Sequence, residues 1–204
     1  MRRMLAVVVL FTALCPAAAG AQGYAITVWA DVPGTECLLE DRVPGIVDLY
    51  VFHEIGGPPG GASGSEFRLA QDPNVTLLWL AEVILGGPIW ISDTRTGVYI
   101  SYEGCVTGRL HIATVTYFGF ATSGVCGELG VCPSVAATDV VGLDCAAQAH
   151  AIGAGLVHVN SDHISCECFV ANGDGPQVPP AFPFCGLPTP VEPTTWGRVK
   201  ALYD

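Results

Sequence analysis

Gly97–Phe120 reads GVYISYEGCVTGRLHIATVTYFGF, and this stretch decides the fold class. It holds two β-type runs, Val98–Tyr102 and Leu110–Phe118, joined by a turn that carries Cys105. Val98, Ile100 and Tyr102 share one face of the first. In the second, Leu110, Ile112 and Phe118 share a face with Thr114 and Thr116. β-Branched and aromatic residues bounded by glycine fit a pleated, packed surface better than a helix. The segment sets an all-β architecture and carries no chemistry of its own.

Upstream, Tyr24–Asp31 alternates and reads as a first strand, and Val32-Pro33-Gly34 turns the chain toward Cys37. Ile46–Ile55 is a second, with Val47, Leu49, Val51 and Ile55 opposing Asp48, Tyr50 and Glu54. Period two with one polar face marks a sheet that is wet on one side. Gly56–Ser65 (GGPPGGASGS) is a loop by composition, followed by a short strand over Glu66–Ala70. Val75–Leu85 is apolar on nearly every position of both parities, which predicts a strand buried on much of both faces, ended by Gly86-Gly87-Pro88. Pro88–Ser92 is a short connection or strand, and Asp93–Gly97 turns into the opening segment.

Downstream, Ala121–Val135 reads as a Gly-rich loop holding Cys126 and Cys132. Ser134–Leu143, Ala149–Val159 and Ile164–Val170 read as further strands. Seven to nine short strands at even spacing are the signature of an antiparallel β-sandwich. Asn172–Pro193 is Pro- and Gly-rich, an irregular wrap or linker pinned by Cys185. Thr194–Tyr203 fits a short helix capped by Thr194, with Trp196, Val199 and Leu202/Tyr203 on one face. The expected organisation is therefore a leader over 1–21, a sandwich over 22–171, the wrap over 172–193 and a C-terminal helical tail over 194–204.

The leader follows from Met1-Arg2-Arg3, an apolar run over Met4–Leu14 and a cleavage site at Ala19-Gly20-Ala21. The run is too short to span a bilayer, which takes about 20 residues. Cleavage removes Cys15 and leaves eight cysteines: Cys37, Cys105, Cys126, Cys132, Cys145, Cys166, Cys168 and Cys185. An even count in a secreted chain predicts disulfides, persisting in the periplasm, at the cell surface or in the medium. Eight cysteines allow about a hundred pairings. The expected one joins Cys37 to Cys105 and Cys126 to Cys132, leaving Cys145 and Cys185 for Cys166 and Cys168. The formal charge is −11, made more negative by loss of Arg2 and Arg3, and Lys200 is the only lysine. Such a surface repels phosphate backbones and anionic lipid, so neither nucleic acid nor an acidic membrane is an expected partner, and with Leu77–Leu85 interrupted by Glu82 no membrane span is expected.

Candidate sites are few. His158, His163, Cys166 and Cys168 offer two imidazoles and two thiolates, a possible zinc set. An oxidising compartment favours cystine there, so no metal or other cofactor is expected. Asn172-Gly173-Asp174-Gly175 resembles part of a calcium loop without the spaced acidic ligands, and reads as a turn. Gly61-Ala62-Ser63-Gly64-Ser65 narrowly misses a nucleophile-elbow pattern. His53 and His111 lie on strands, where histidine is usually a half-buried structural residue. Asn74-Val75-Thr76 is a glycosylation sequon. No catalytic residue is assigned.

Two resemblances add to this. The ending Pro190–Tyr203, PVEPTTWGRVKALY, resembles the P-V-E-x-x-T-W-G-x-[IV]-K-x-L-Y tail of secreted bacterial proteins of uncharacterised activity. Trp196, Val199, Lys200, Leu202 and Tyr203 are the tail residues expected to be recognised, in sorting or in docking a protein partner or another copy. The body, through Asp48–Phe52, Gly64–Leu69 and Leu110–Phe118, is similar in layout to cohesin-like or immunoglobulin-like sandwiches. That likeness implies protein binding through one sheet face. The expected function is thus a secreted, non-catalytic binding or structural module. The alternative is a secreted hydrolase or carbohydrate-active protein on the same scaffold.

Overall fold

The computed structural model describes residues 24–57, 60–160 and 183–186. The leader, the strand expected over Ile164–Val170 and the helical tail lie outside these residues. Within them the strands are β1 (Tyr24–Trp29), β2 (Leu38–Leu39), β3 (Gly45–Ile55), β4 (Ala62–Gln71), β5 (Leu78–Ile84), β6 (Ile89–Ile91) and β7 (Val98–Val106). They continue with β8 (Gly108–Gly119), β9 (Gly127–Cys132), β10 (Val141–Leu143), β11 (Ala149–Ala151), β12 (Gly153–Ala154) and β13 (Leu156–Val159).

These strands form two sheets. One runs β12-β1-β3-β8-β5; the other runs β11-β10-β4-β9-β13-β2, with β7 paired to β4 and β6 to β7. All pairings are antiparallel except β1–β12 and β13–β2. Phe67, Ile26, Leu49, Ile100, Ile112 and Leu129 are buried in the core. Burying such a side chain stabilises the fold by roughly 1.5–3 kcal/mol.

β3 and β8 form the longest ladder, from Gly45 opposite Gly119 to Ile55 opposite Gly108, with one register shift at Val51/Phe52. The expected common face for Leu110, Ile112 and Phe118 fails at that bulge. Val51 lies opposite Ala113 and Phe52 opposite His111, so Ile112 is the extra residue and the parity of β8 switches. Ile112 faces the core, whereas Phe118 lies beside Ile46 on the other side of the sheet.

Four further expectations are corrected. Cys105 lies inside β7, and the turn to β8 is at Thr107. β4 begins at Ala62, so the last four residues of the Gly56–Ser65 run expected as loop are strand. It is held from both sides, by β7 and β10, and a Cβ on Gly64 would stand 2.7 Å from the Ile100 carbonyl oxygen. Close backbone approach thus selects glycine where composition suggested a loop. Gly127–Cys132, also expected as loop, is a strand between β4 and β13. Finally, β5 ends its sheet and leaves Leu80, Ala81 and Val83 exposed; only Val75 and Leu77, ahead of the strand, are buried.

The disulfides are Cys105–Cys145 and Cys132–Cys185, and Cys37 and Cys126 are disulfide-bonded as well. The expected Cys37–Cys105 and Cys126–Cys132 pairs, and the assignment of Cys145 and Cys185 to Cys166 and Cys168, are therefore overturned. Sheet pairing decides this: β7 and β10 flank β4 on opposite edges, and Cys105 and Cys145 meet across the chain at Gly61, just ahead of β4. Their sequence separations of 40 and 53 correspond to roughly 4 kcal/mol each on the chain-entropy account.

A buried polar clasp closes one end of the sandwich. Asp41 accepts from the Ala121 and Ser123 amides at 2.8 and 3.1 Å. Asn160 accepts from the Asp41 amide at 2.7 Å and donates to the Asp41 and Ser123 carbonyls. Asp41→Ala leaves two partly buried amides without their carboxylate, and a loss of about 1–3 kcal/mol in urea unfolding is expected. Non-reducing peptide mapping is expected to recover Cys105–Cys145 and Cys132–Cys185 linked peptides. A Cys126–Cys132 peptide would contradict the fold.

Candidate functional site

The bulged β3–β8 ladder sends alternate residues to the outer side of the five-stranded sheet. They fall in lateral rows. Ile46, Phe118 and Leu78 stand abreast on β3, β8 and β5, followed by Asp48, Thr116 and Ala81, then by Tyr50, Thr114 and Val83. Trp29 of β1 lies beside Tyr50, and Thr27 beside Phe52. Ile46 is 61 % exposed and Val83 57 %, and Phe120 packs edge-on to Phe118 at 5.0 Å. Apolar side chains in adjacent positions across three strands make a contiguous patch, unlike singly scattered surface hydrophobes.

The two ends of this face differ in how their groups are committed. At the β1 end, Arg109 lies over Phe52 at 4.1 Å and Trp29 at 5.3 Å. It pairs with Glu54 at 2.9 Å and donates to the Pro33 and Gly34 carbonyls. Thr27 donates to Glu54, and the Trp29 indole donates to Thr27. His111 stacks on Phe52 at 4.8 Å, and its Nε2 lies 3.0 Å from the Ala113 carbonyl oxygen. A carbonyl only accepts, so Nε2 carries the proton. Burial lowers the His111 pKa; the Ala113 contact opposes this and Arg109 adds to it. These groups satisfy one another. At the β5 end Asp48 accepts from Thr116 at 2.7 Å, and the apolar side chains around it are uncovered.

The outer side of the other sheet is covered over β4 and β9. Pro183–Gly186 forms a 3₁₀ turn tied to β9 by Cys132–Cys185. Phe184 is buried, and Arg68 donates to the Pro133 and Cys185 carbonyls. Burial lowers the Arg68 pKa. Among the described residues the chain thus covers part of one sheet and leaves Ile46, Ala81 and Val83 of the other exposed.

Of the residues singled out in the sequence, His53 and His111 are separated by the sheet. His111 faces outward, and His53 is fully buried between the layers. The fold does bring a serine near His53: His53 Nδ1 is 2.7 Å from the Tyr102 hydroxyl, which donates to Ser65 at 2.7 Å. The serine is Ser65, not Ser63, whose hydroxyl donates to the Asp144 carbonyl. Both His53 and Ser65 are wholly shielded from solvent, so the chain of hydroxyls joins the layers and meets no substrate. His158 is buried on β13 with its amide bonded to the Cys37 carbonyl; His163, Cys166 and Cys168 lie outside the described residues. So do Trp196, Val199, Lys200, Leu202 and Tyr203. Among the described residues no group of three or more His, Cys, Asp or Glu is placed to hold a metal ion. The outer-face rows were missed because they depend on which strands become neighbours; the alternation of Ile46–Ile55 was their only signal.

Burial pushes the His53 pKa from 6.5 down to about 3. The unfolded chain then takes up a proton that the folded chain refuses. The associated stability is complete above pH 6.5 and is lost progressively as pH falls from there toward 3. Within that window the loss is expected to approach about 1.4 kcal/mol per pH unit. Urea titrations of wild type and His53→Gln, compared as a difference, are expected to show this slope in the wild type alone.

No protein-family model matches the chain, and no curated protein matches it. Among solved structures, the cohesin module from a Clostridium perfringens family 33 glycoside hydrolase overlaps with a TM-score of 0.42 and 9 % identity. The overlap covers 69 % of this chain and 99 % of that one. The sixth cohesin of Acetivibrio cellulolyticus scaffoldin B, in complex with a mutant Cel5 dockerin, overlaps with a TM-score of 0.45 and 13 % identity, with the same coverage. Neither overlap assigns a ligand or a partner to this chain.

Proposed function

We propose that the protein is a non-catalytic protein-binding module, working outside the reducing cytosol, that docks its partner on the outer face of the five-stranded sheet. The observation that carries this reading is the row Ile46–Phe118–Leu78, apolar across three strands, with Ile46, Ala81 and Val83 exposed and Phe118, Leu78 and Tyr50 half-exposed around Asp48. A protein partner fits better than a small molecule because the rows form an open sheet surface, whereas ligand sites are usually concave. The partner surface is an apolar ridge with a donor or basic group set to meet Asp48, in keeping with the −11 charge of this chain. The two disulfide pairs support an oxidising location.

A photo-crosslinking residue at Ile46, in cells producing the protein, is expected to yield one adduct of discrete mass. The same residue at Val135, exposed and remote from the face, is expected to yield none. Phe118→Asp is expected to weaken the captured complex at least about tenfold, or 1.4 kcal/mol. Equal adducts from both positions, or none from Ile46, would overturn the reading.

A further inference from the structure

β6, Ile89-Trp90-Ile91, is the last strand of its branch. β7 covers one edge, and among the described residues no strand lies against the other. Its three side chains are 58, 52 and 64 % exposed. Soluble sheets blunt such an edge with lysine, proline, a bulge, a covering segment or by keeping the strand very short, and of these β6 shows only its three-residue length and the preceding Pro88. Ile89–Ile91 has no lysine or proline, and its register with β7 runs unshifted from Ile89 opposite Ser101 to Ile91 opposite Tyr99. The strand is also fixed in place. A Cβ on Gly87, just before it, would stand 1.8 Å from the Ser101 carbonyl oxygen, so the approach to β7 admits only glycine there.

We propose that β6 is a self-pairing edge: two copies of the chain join β6 to β6, antiparallel, about a two-fold axis through Trp90. The sheet then continues from one molecule into the next.

Two observations select a second copy over another occupant, and a third sets the strength of the contact. The first is symmetry. Ile-Trp-Ile reads the same in both directions, so antiparallel pairing centred on Trp90 sets isoleucine opposite isoleucine and tryptophan opposite tryptophan. Such apolar cross-strand pairs stabilise a sheet, and a two-fold interface requires a patch that complements itself. The second is charge. The chain carries −11, yet Val83–Ser92 contains no ionisable residue, so two acidic molecules can meet here without opposing carboxylates. The third is area. With Leu85, also exposed, the strand offers on the order of 400 Å² of apolar surface per copy, short of the about 800 Å² of a standard interface. That places the contact among weak, reversible dimers.

Sedimentation equilibrium on the oxidised chain tests this between about 1 µM and 1 mM. The weight-average mass is expected to climb from one chain toward two. Trp90→Lys is expected to abolish the rise with an unchanged circular dichroism spectrum, and Ile91→Glu serves as the second variant should the first not fold. Ile46→Asp, on the five-stranded sheet, is expected to dimerise as wild type does, which separates this edge from the docking face proposed above. A wild-type chain that stays monomeric throughout overturns the proposal and leaves the edge to a different strand-bearing partner. Dimerisation unaffected by the β6 variants overturns it equally.

Discussion

The antiparallel ladder between β3 and β8 is the constraint on which the remaining structure depends. It runs the full length of both strands and divides their side chains between a sealed interior and an open exterior. The division is not a simple alternation. One extra residue, Ile112, is absorbed at the bulge, and everything beyond it changes sides. Without that insertion Thr114, Thr116 and Phe118 would point into the core and Val115 and Tyr117 out of it. Two hydroxyls would then need buried partners, while the interior would lose Val115 and Tyr117.

Both layers answer to this ladder in different ways. The five-stranded sheet is built around it and, among the described residues, leaves Ile46, Ala81 and Val83 of its outer side exposed. The larger sheet folds over its inner side and is itself roofed by Pro183–Gly186, held there by Cys132–Cys185 and by the Arg68 hydrogen bonds. A buried guanidinium is tolerated there because the Pro133 and Cys185 carbonyls accept hydrogen bonds from its Nε and Nη2. The same logic explains His53, Tyr102 and Ser65, a string of polar groups crossing the core between layers. Burial raises the Tyr102 pKa, with the Ser65 hydrogen bond working in the other direction, so the phenol stays a neutral donor. A network of this kind favours one relative placement of the two sheets, since sliding either layer would strand its groups.

Surfaces divide by the same rule of commitment. Where Arg109, Glu54, Trp29, Phe52 and His111 stack and pair among themselves, little is left to offer a partner. Where Ile46, Phe118 and Val83 stand in rows, and where Ile89–Ile91 ends its sheet, apolar area faces water with nothing from the described residues laid over it. Strand ends and outer faces become binding surfaces when the chain does not spend its own side chains on them.

Taken alone, the amino-acid order determined the all-β class, the positions of β1, β3 and β7, and the use of cysteine as cystine. Each of these is local: alternation over Ile46–Ile55 or Val98–Tyr102 reports one wet and one dry side without reference to any other segment. What tertiary structure alone decided was adjacency. Ala62–Ser65 looks like loop until β7 and β10 clamp it from both sides, and Val75–Leu85 looks buried on much of both faces until β5 proves to be the last strand of its sheet. Cys105 meets Cys145, and His53 meets a hydroxyl 49 residues away, only because particular strands became neighbours. Hydrophobic periodicity records whether a residue faces water, but strand pairing is chosen by the whole packed core, which no short window of residues contains.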